Sequence, residues 1–132
     1  DTIYGSVNTD YLGGAWGNDH LYGYDGDDFL QGDWGDDYLD GGDGNDFITG
    51  GQGNDTLIGE GGNDTFVFAP GDGQDSVQQF SVGSDLIDLT AYNTNFASLN
   101  IDYSLGNSTI TFATGETIIV TNTTLTATDF IF

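Results

Sequence analysis

The sequence predicts an all-β chain: a short-period solenoid over the first half, closed by an antiparallel β cap over the second. Three observations predict it. Seven consecutive nine-residue blocks start at Gly5, Gly14, Gly23, Gly32, Gly41, Gly50 and Gly59 without an insertion. Two columns of those blocks hold throughout, with Asp at the sixth place and a large apolar residue at the eighth. Beyond Phe68 the repeat stops, glycine thins out and β-branched residues take over. The expected division is therefore 1–67 for the repeats and 68–132 for the capping region.

Each block divides into a glycine-rich half and a three-residue half such as Phe29-Leu30-Gln31 or Tyr38-Leu39-Asp40. Three residues with an apolar centre make a short strand whose middle side chain points inward and whose flanks point out. The inward column is Leu12, Leu21, Leu30, Leu39, Ile48, Leu57 and Phe66. Glycines at the first and fourth places are expected to supply the backbone angles of a tight turn. One block is then turn plus strand, two blocks make one coil, and each coil buries its apolar face only against its neighbours.

The sixth-place acids are Asp10, Asp19, Asp28, Asp37, Asp46, Asp55 and Asp64. Coils of two blocks stack them into rows, Asp10-Asp28-Asp46-Asp64 and Asp19-Asp37-Asp55. Carboxylates in line at about 5 Å repel one another, and a cation between each pair reverses the sign of that interaction. Calcium suits such rows, being a hard cation that takes six to eight oxygens in tolerant geometry. An EF-hand is excluded, because its loop needs twelve residues, a closing Glu and flanking helices.

Composition points the same way. The 132 residues include 22 acids, no Lys, no Arg and no Cys, for a formal charge of -22. With no cationic side chain to meet phosphate, binding to nucleic acid or anionic lipid is disfavoured. No disulfide can staple the chain and no thiolate can hold zinc. A content of 36% hydrophobic and 14% aromatic residues argues for a fold once the charge is dealt with. No apolar run approaches the ~20 residues of a membrane span. Asp1 and Ile3 occupy the sixth and eighth places of a block that starts upstream, so the chain is expected to be a module of a longer one.

The blocks, Gly41-Gly42-Asp43-Gly44-Asn45-Asp46-Phe47-Ile48-Thr49 most fully, resemble the calcium-binding nonapeptide repeats of RTX proteins over residues 1 to 75. The resemblance implies a right-handed parallel β-roll with calcium ions in rows along its two turn edges, about six in all. It implies that each ion takes the carbonyls of the second and fourth places and the Asp of one turn, with the carbonyls of the first and third places and the Asp of the turn above. Here that joins Tyr24, Gly26 and Asp28 to Gly41, Asp43 and Asp46; Ala15, Gly17 and Asp19 to Gly32, Trp34 and Asp37; Asp33, Gly35 and Asp37 to Gly50, Gln52 and Asp55; and Gly42, Gly44 and Asp46 to Gly59, Gly61 and Asp64. At the ends, Asp10 lies below Gly23, Asp25 and Asp28, in a block with Ser6 and Asn8 where glycines are expected. Gly51, Gly53 and Asp55 face an eighth unit, Gly71-Asp72-Gly73-Gln74-Asp75, displaced by two residues.

The second half contains strand-like stretches at 85–89, 99–103, 108–112 and 117–120, with turns at Gly106-Asn107 and Thr114-Gly115. A solenoid needs such a cap to cover its last coil. The run from Asp64 to Gly73 and from Gly83 to Leu89 resembles the junction in RTX C-terminal regions. The end, Asp129-Phe130-Ile131-Phe132, resembles the C-terminal signal of proteins exported by type I secretion, and its bland reading is a final edge strand.

The resemblance therefore implies a non-catalytic, calcium-dependent module of a secreted, extracellular bacterial protein, with the type I secretion machinery as a partner. His20, alone and outward-facing, offers no catalytic set. A second reading is a polysaccharide-binding module with purely structural calcium. Its contacts would be Trp16 and Trp34, which share the third place, and Tyr11, Phe29 and Phe47, which share the seventh.

Overall fold

The computed structural model describes residues 1–132. The repeats form eight strands: β1 (Thr2–Tyr4), β2 (Tyr11–Trp16), β3 (His20–Asp25), β4 (Phe29–Trp34), β5 (Tyr38–Asp43), β6 (Phe47–Gln52), β7 (Thr56–Gly61) and β8 (Thr65–Val67). Six follow: β9 (Gln74–Gln78), β10 (Leu86–Asp88), β11 (Asn100–Asp102), β12 (Ser108–Thr111), β13 (Thr117–Val120) and β14 (Phe130–Ile131). There is no α-helix, only four single 3-10 turns, and no helix long and apolar enough to cross a membrane.

Odd and even strands separate into two sheets, as a two-strand coil requires. One sheet runs β1-β3-β5-β7-β9-β13-β12-β11 and the other β14-β10-β8-β6-β4-β2. The roll strands pair in parallel, with Tyr11 beside Phe29 and then Phe47 in one sheet and His20 beside Tyr38 and then Thr56 in the other. This is the parallel β-roll that the nine-residue period implied. The antiparallel cap is the meander β11-β12-β13. Parallel stacking runs beyond residue 67, since β9 adds to β7, β10 to β8, β13 to β9 and β14 to β10.

The core is a double row of eighth-place side chains. Leu12, Leu30, Ile48 and Phe66 continue into Ile87 and Phe130 in one sheet. Ile3, Leu21, Leu39 and Leu57 continue into Val77 and Val120 in the other. From Leu21 to Ile87 these side chains are essentially inaccessible, whereas Ile3 and Leu12 at the first coil are only partly covered.

Strands β2 to β7 are longer than the expected three residues, which only β1 and β8 keep. They run from the seventh place through the third place of the following block, leaving only the fourth to sixth places for the turn. The residues in left-handed backbone also differ from expectation. Positive φ falls on the second and fourth places, and at the second the chain tolerates Ala15 (77°), Tyr24 (76°), Asp33 (76°) and Glu60 (65°). First-place glycines have no such φ; they are small for want of space.

Candidate metal centre

That want of space defines the site. A Cβ added at Gly14 would lie 2.7 Å from Asp19 Oδ2 and 2.8 Å from the carbonyl oxygen of Gly32 in the next coil. At Gly23 it would meet Asp28 Oδ2 and the Gly41 carbonyl, and at Gly32 it would meet Asp37 Oδ2 and the Gly50 carbonyl. The first-place glycine is thus the wall of a cradle where a carboxylate oxygen of one coil and a carbonyl oxygen of the next come together.

Each sixth-place carboxylate divides its two oxygens between two tasks. Oδ1 accepts the backbone N–H of the Asp one coil earlier: Asp19 donates to Asp37 at 2.7 Å, Asp28 to Asp46 at 2.8 Å, Asp37 to Asp55 at 2.8 Å and Asp46 to Asp64 at 3.0 Å. Oδ2 is buried and has no hydrogen-bond partner in Asp19, Asp28, Asp37, Asp46, Asp55 and Asp64. A buried carboxylate oxygen without a donor is costly, and the chain has no cationic side chain to offset it.

Burial accordingly raises five of these carboxyl groups, those of Asp28, Asp37, Asp46, Asp55 and Asp64. It pushes Asp46 and Asp55 up to about 7 and Asp64 to about 6, with further repulsion from neighbouring row members, against a lowering by the N–H bonds. Asp28 and Asp37 rise for the same first reason, desolvation.

The second- and fourth-place carbonyls face the coil that follows. The carbonyls of Tyr24 and Gly26 point at Gly42 and Gly44 of the next coil, and Gly17, Asp33, Gly35 and Gly44 point at Gly35, Gly51, Gly53 and Gly62. Third-place carbonyls do a second job: Trp34, Asp43, Gln52 and Gly61 accept the N–H of Gly17, Gly26, Gly35 and Gly44 at 2.7 to 2.9 Å. No three acidic or histidine side chains converge on one point, so any ion here takes carboxylates in small number and carbonyls for the rest. Such a donor set, all oxygen with orphaned anions at its centre, fits calcium. His20 stacks on Tyr38 with ring centroids 5.5 Å apart, on an outer sheet face away from the rows.

The ends of the rows differ from the interior. Asp10 Oδ2 accepts both the N–H of Ser6 at 2.6 Å and its hydroxyl at 2.8 Å. At the other end of that row Asp64 donates its N–H to Asp85 Oδ1 at 3.1 Å, and Asp85 Oδ2 takes the N–H of Ser81 at 2.7 Å. A serine four residues upstream thus closes the row at both ends. Sequence reasoning missed Asp85, although an acid two places before a buried Ile87 is the same signal as in the repeat. In the second row Asp55 donates its N–H to Asp75 Oδ1 at 3.0 Å.

Gly32→Ala is expected to destabilise the folded roll by about 2 kcal/mol, because the methyl overpacks the Asp37 cradle. Calcium titrations followed by circular dichroism check this. Gly13→Ala, with nothing within 4 Å of the added Cβ, is expected to leave the midpoint unchanged.

The chain matches the family described as RTX calcium-binding nonapeptide repeat (4 copies) over residues 1–21, 13–48 and 40–75. It is a member of that RTX repeat family. No curated protein sequence matches the chain. Among solved structures, two subunits of the mannuronan C5-epimerase of Azotobacter vinelandii are similar. One has 28% identity over 97% of this chain and 80% of that subunit, TM-score 0.40. The other has 25% identity over 100% of this chain and 92% of that subunit, TM-score 0.43. The extracellular lipase LipA of Serratia marcescens shares the fold at 16% identity and TM-score 0.51, this chain spanning 40% of its length. As an RTX repeat module, the chain binds calcium.

The aromatic ladders are real but turned inward on themselves. Trp16 and Trp34 stack at 4.2 Å, and Tyr11 and Phe29 at 4.8 Å, with Phe47 tilted at 5.9 Å from Phe29. One face each of Trp16, Trp34 and Tyr11 and both faces of Phe29 meet another ring, while Trp34 and Phe47 are followed in register by Gln52 and Thr65 and all five side chains stay exposed. Beside the ladder lies a groove of about 370 Å³ lined by Tyr11, Phe29, Phe47, Gly13, Gln31 and Thr49, with no charged residue.

Proposed function

We propose that this RTX module is non-catalytic and folds on extracellular calcium, supporting the type I secretion and stability of a larger secreted bacterial protein. The observation that carries this reading is the set of six buried, partnerless Oδ2 atoms in a chain without a cationic side chain. In low calcium these oxygens and the charge of -22 oppose compaction. Outside the cell, millimolar calcium fills sites of about 10⁻⁴ to 10⁻³ M affinity, and binding free energy becomes folding free energy. If about six ions bind, the formal charge falls from -22 to about -10.

The C-terminal residues bear on the secretion role in one respect. Asp129, at the end of a 3-10 turn, is fully buried and Phe130, on the strand that completes one sheet, nearly so, while Ile131 and Phe132 are exposed, so the Asp129-Phe130 part of a secretion signal at 129–132 would have to be read before the module folds. The polysaccharide reading keeps the uncharged groove and the exposed edges of the ladder, while ring-on-ring stacking takes up both faces of Phe29 and one face of Trp16, Trp34 and Tyr11.

The expected result of titrating the chain with calcium is a cooperative gain of β-structure by circular dichroism, with magnesium ineffective at equal concentration. Magnesium demands near-ideal octahedral geometry and dehydrates reluctantly, which a row of carbonyls on a stiff backbone does not provide. Native β-structure in calcium-free buffer at pH 8 would overturn the reading.

A further inference from the structure

The last cation site on the second row is built differently from the others. In the regular coils the first to third places lie inside strands, so pairing to the coil before holds their carbonyls over the cradle. The eighth unit lacks that support: β9 starts only at Gln74, and the preceding residues touch the roll through one isolated bridge between Gly53 and Gly73. Yet Asp55 Oδ2 below is buried and partnerless like its row mates. Asp75 Oδ1 and the Asp72 carbonyl are already seated over it, taking the N–H groups of Asp55 at 3.0 Å and Gly53 at 2.7 Å.

What holds the loop there comes from the cap. Glu116, in the turn between β12 and β13, accepts the N–H of Gly71 at 2.6 Å through Oε1. Its Oε2 accepts the hydroxyl of Tyr92 at 3.0 Å and that of Thr114 at 3.1 Å. Tyr92 lies against Phe112 with centroids 3.9 Å apart and is placed within hydrogen-bonding distance of the Ala69 carbonyl, 2.9 Å away. Ala69 in turn donates its N–H to Asp72 at 2.6 Å. Besides the backbone bond from Thr117 N–H to the Gly73 carbonyl at 3.0 Å, the loop is thus tied to one carboxylate that the roll does not supply.

We propose that Glu116 is the positioning residue of the last calcium site, gripping Gly71 and Tyr92 together so that the loop at 69–73 closes over Asp55 only when the cap is docked. This rests on the calcium reading above and extends it: the cap then does more than cover apolar surface, because it completes a site. Coupling runs both ways, so calcium at Asp55 favours the docked cap as the docked cap favours calcium.

The test is isothermal titration with calcium chloride of the whole chain and of Glu116→Ala, Tyr92→Phe, Asp75→Asn and the Glu116→Ala/Asp75→Asn double variant. Glu116→Ala and Asp75→Asn are each expected to lose one ion and raise the calcium midpoint by about tenfold. The double variant is expected to match Asp75→Asn alone, since the site is already gone. Tyr92→Phe keeps the stack on Phe112 and removes one donor, so it is expected to weaken the same site while retaining the ion count of the others. Were Glu116→Ala to keep the full ion count, or the double variant to shift by the sum of the two singles, Glu116 would act only on cap stability and the inference would fall. Should Glu116→Ala fail to fold, an unchanged titration of Tyr92→Phe would overturn it equally. A parent chain that takes up no calcium would instead overturn the calcium reading on which it rests.

Discussion

Asp46→Asn is expected to raise the calcium concentration needed for folding by about tenfold to a hundredfold, on the order of 1.5–3 kcal/mol for a lost charged contact in a buried place. Asn retains an acceptor for the Asp28 N–H, now 2.8 Å from Asp46 Oδ1, so the loss isolates the partnerless anionic Oδ2. Because Asp46 stands mid-row between Asp28 and Asp64, titration calorimetry is expected to show two sites impaired. Asp10→Asn is the internal control. Its Oδ2 is held by Ser6, and its effect is expected to be several times smaller. Equal midpoints for Asp46→Asn and the parent chain would refute the stacked arrangement of sites.

Acidification is expected to do part of the work of calcium. Asp46, Asp55 and Asp75 are raised to about 7 and Asp64 to about 6, chiefly by burial, above the ordinary aspartate value near 4 that the unfolded chain retains. The folded calcium-free chain therefore binds more protons than the unfolded one between these limits. Its stability is highest below about pH 4, falls as pH rises through 6 to 7, and is lowest above, where both states are ionised. In calcium-free buffer, β-structure by circular dichroism is expected to grow as pH falls from 8 to 5. With saturating calcium the dependence is expected to vanish or reverse, because the ion favours the ionised carboxylates. A flat calcium-free profile over that range would show that the Oδ2 atoms are not buried without calcium.

Much of the roll was legible because its physics is local and repeated. Asp at the sixth place and Leu, Ile or Phe at the eighth state, nine residues at a time, which side chain enters the apolar core and which carboxylate lines the turn edge. The outward aromatics were legible as columns too, though not their stacking, which depends on ring orientation between coils. What the period concealed was the division of labour among glycines. Gly14 and Gly23 read as turn formers, yet they are strand residues kept small by the carboxylate of their own block's Asp and by a carbonyl oxygen of the next coil. Tyr24 and Asp33 read as ordinary and carry the positive φ instead. The first distinction needs the turn to be folded so that the sixth-place Asp returns over the first-place glycine, and at Gly14, Gly23 and Gly32 a carbonyl of the next coil crowds it further.

The nine-residue sequence pattern by itself determined a two-strand coil, an apolar double row inside, two rows of carboxylates along the turn edges and the need for a cation. Only the tertiary structure decided where those rows end. Asp75 and Asp85 sit 20 and 21 residues beyond the row members they follow, out of period, yet they take the same backbone N–H bonds as residues exactly 18 apart in the repeats. Pairing between coils is set by the spacing of strands, not by the length of chain between them. The extra residues bulge into loops, and the loop before β9, paired only at Gly73, takes a further anchor from elsewhere in the fold, which Glu116 provides from 45 residues beyond Gly71.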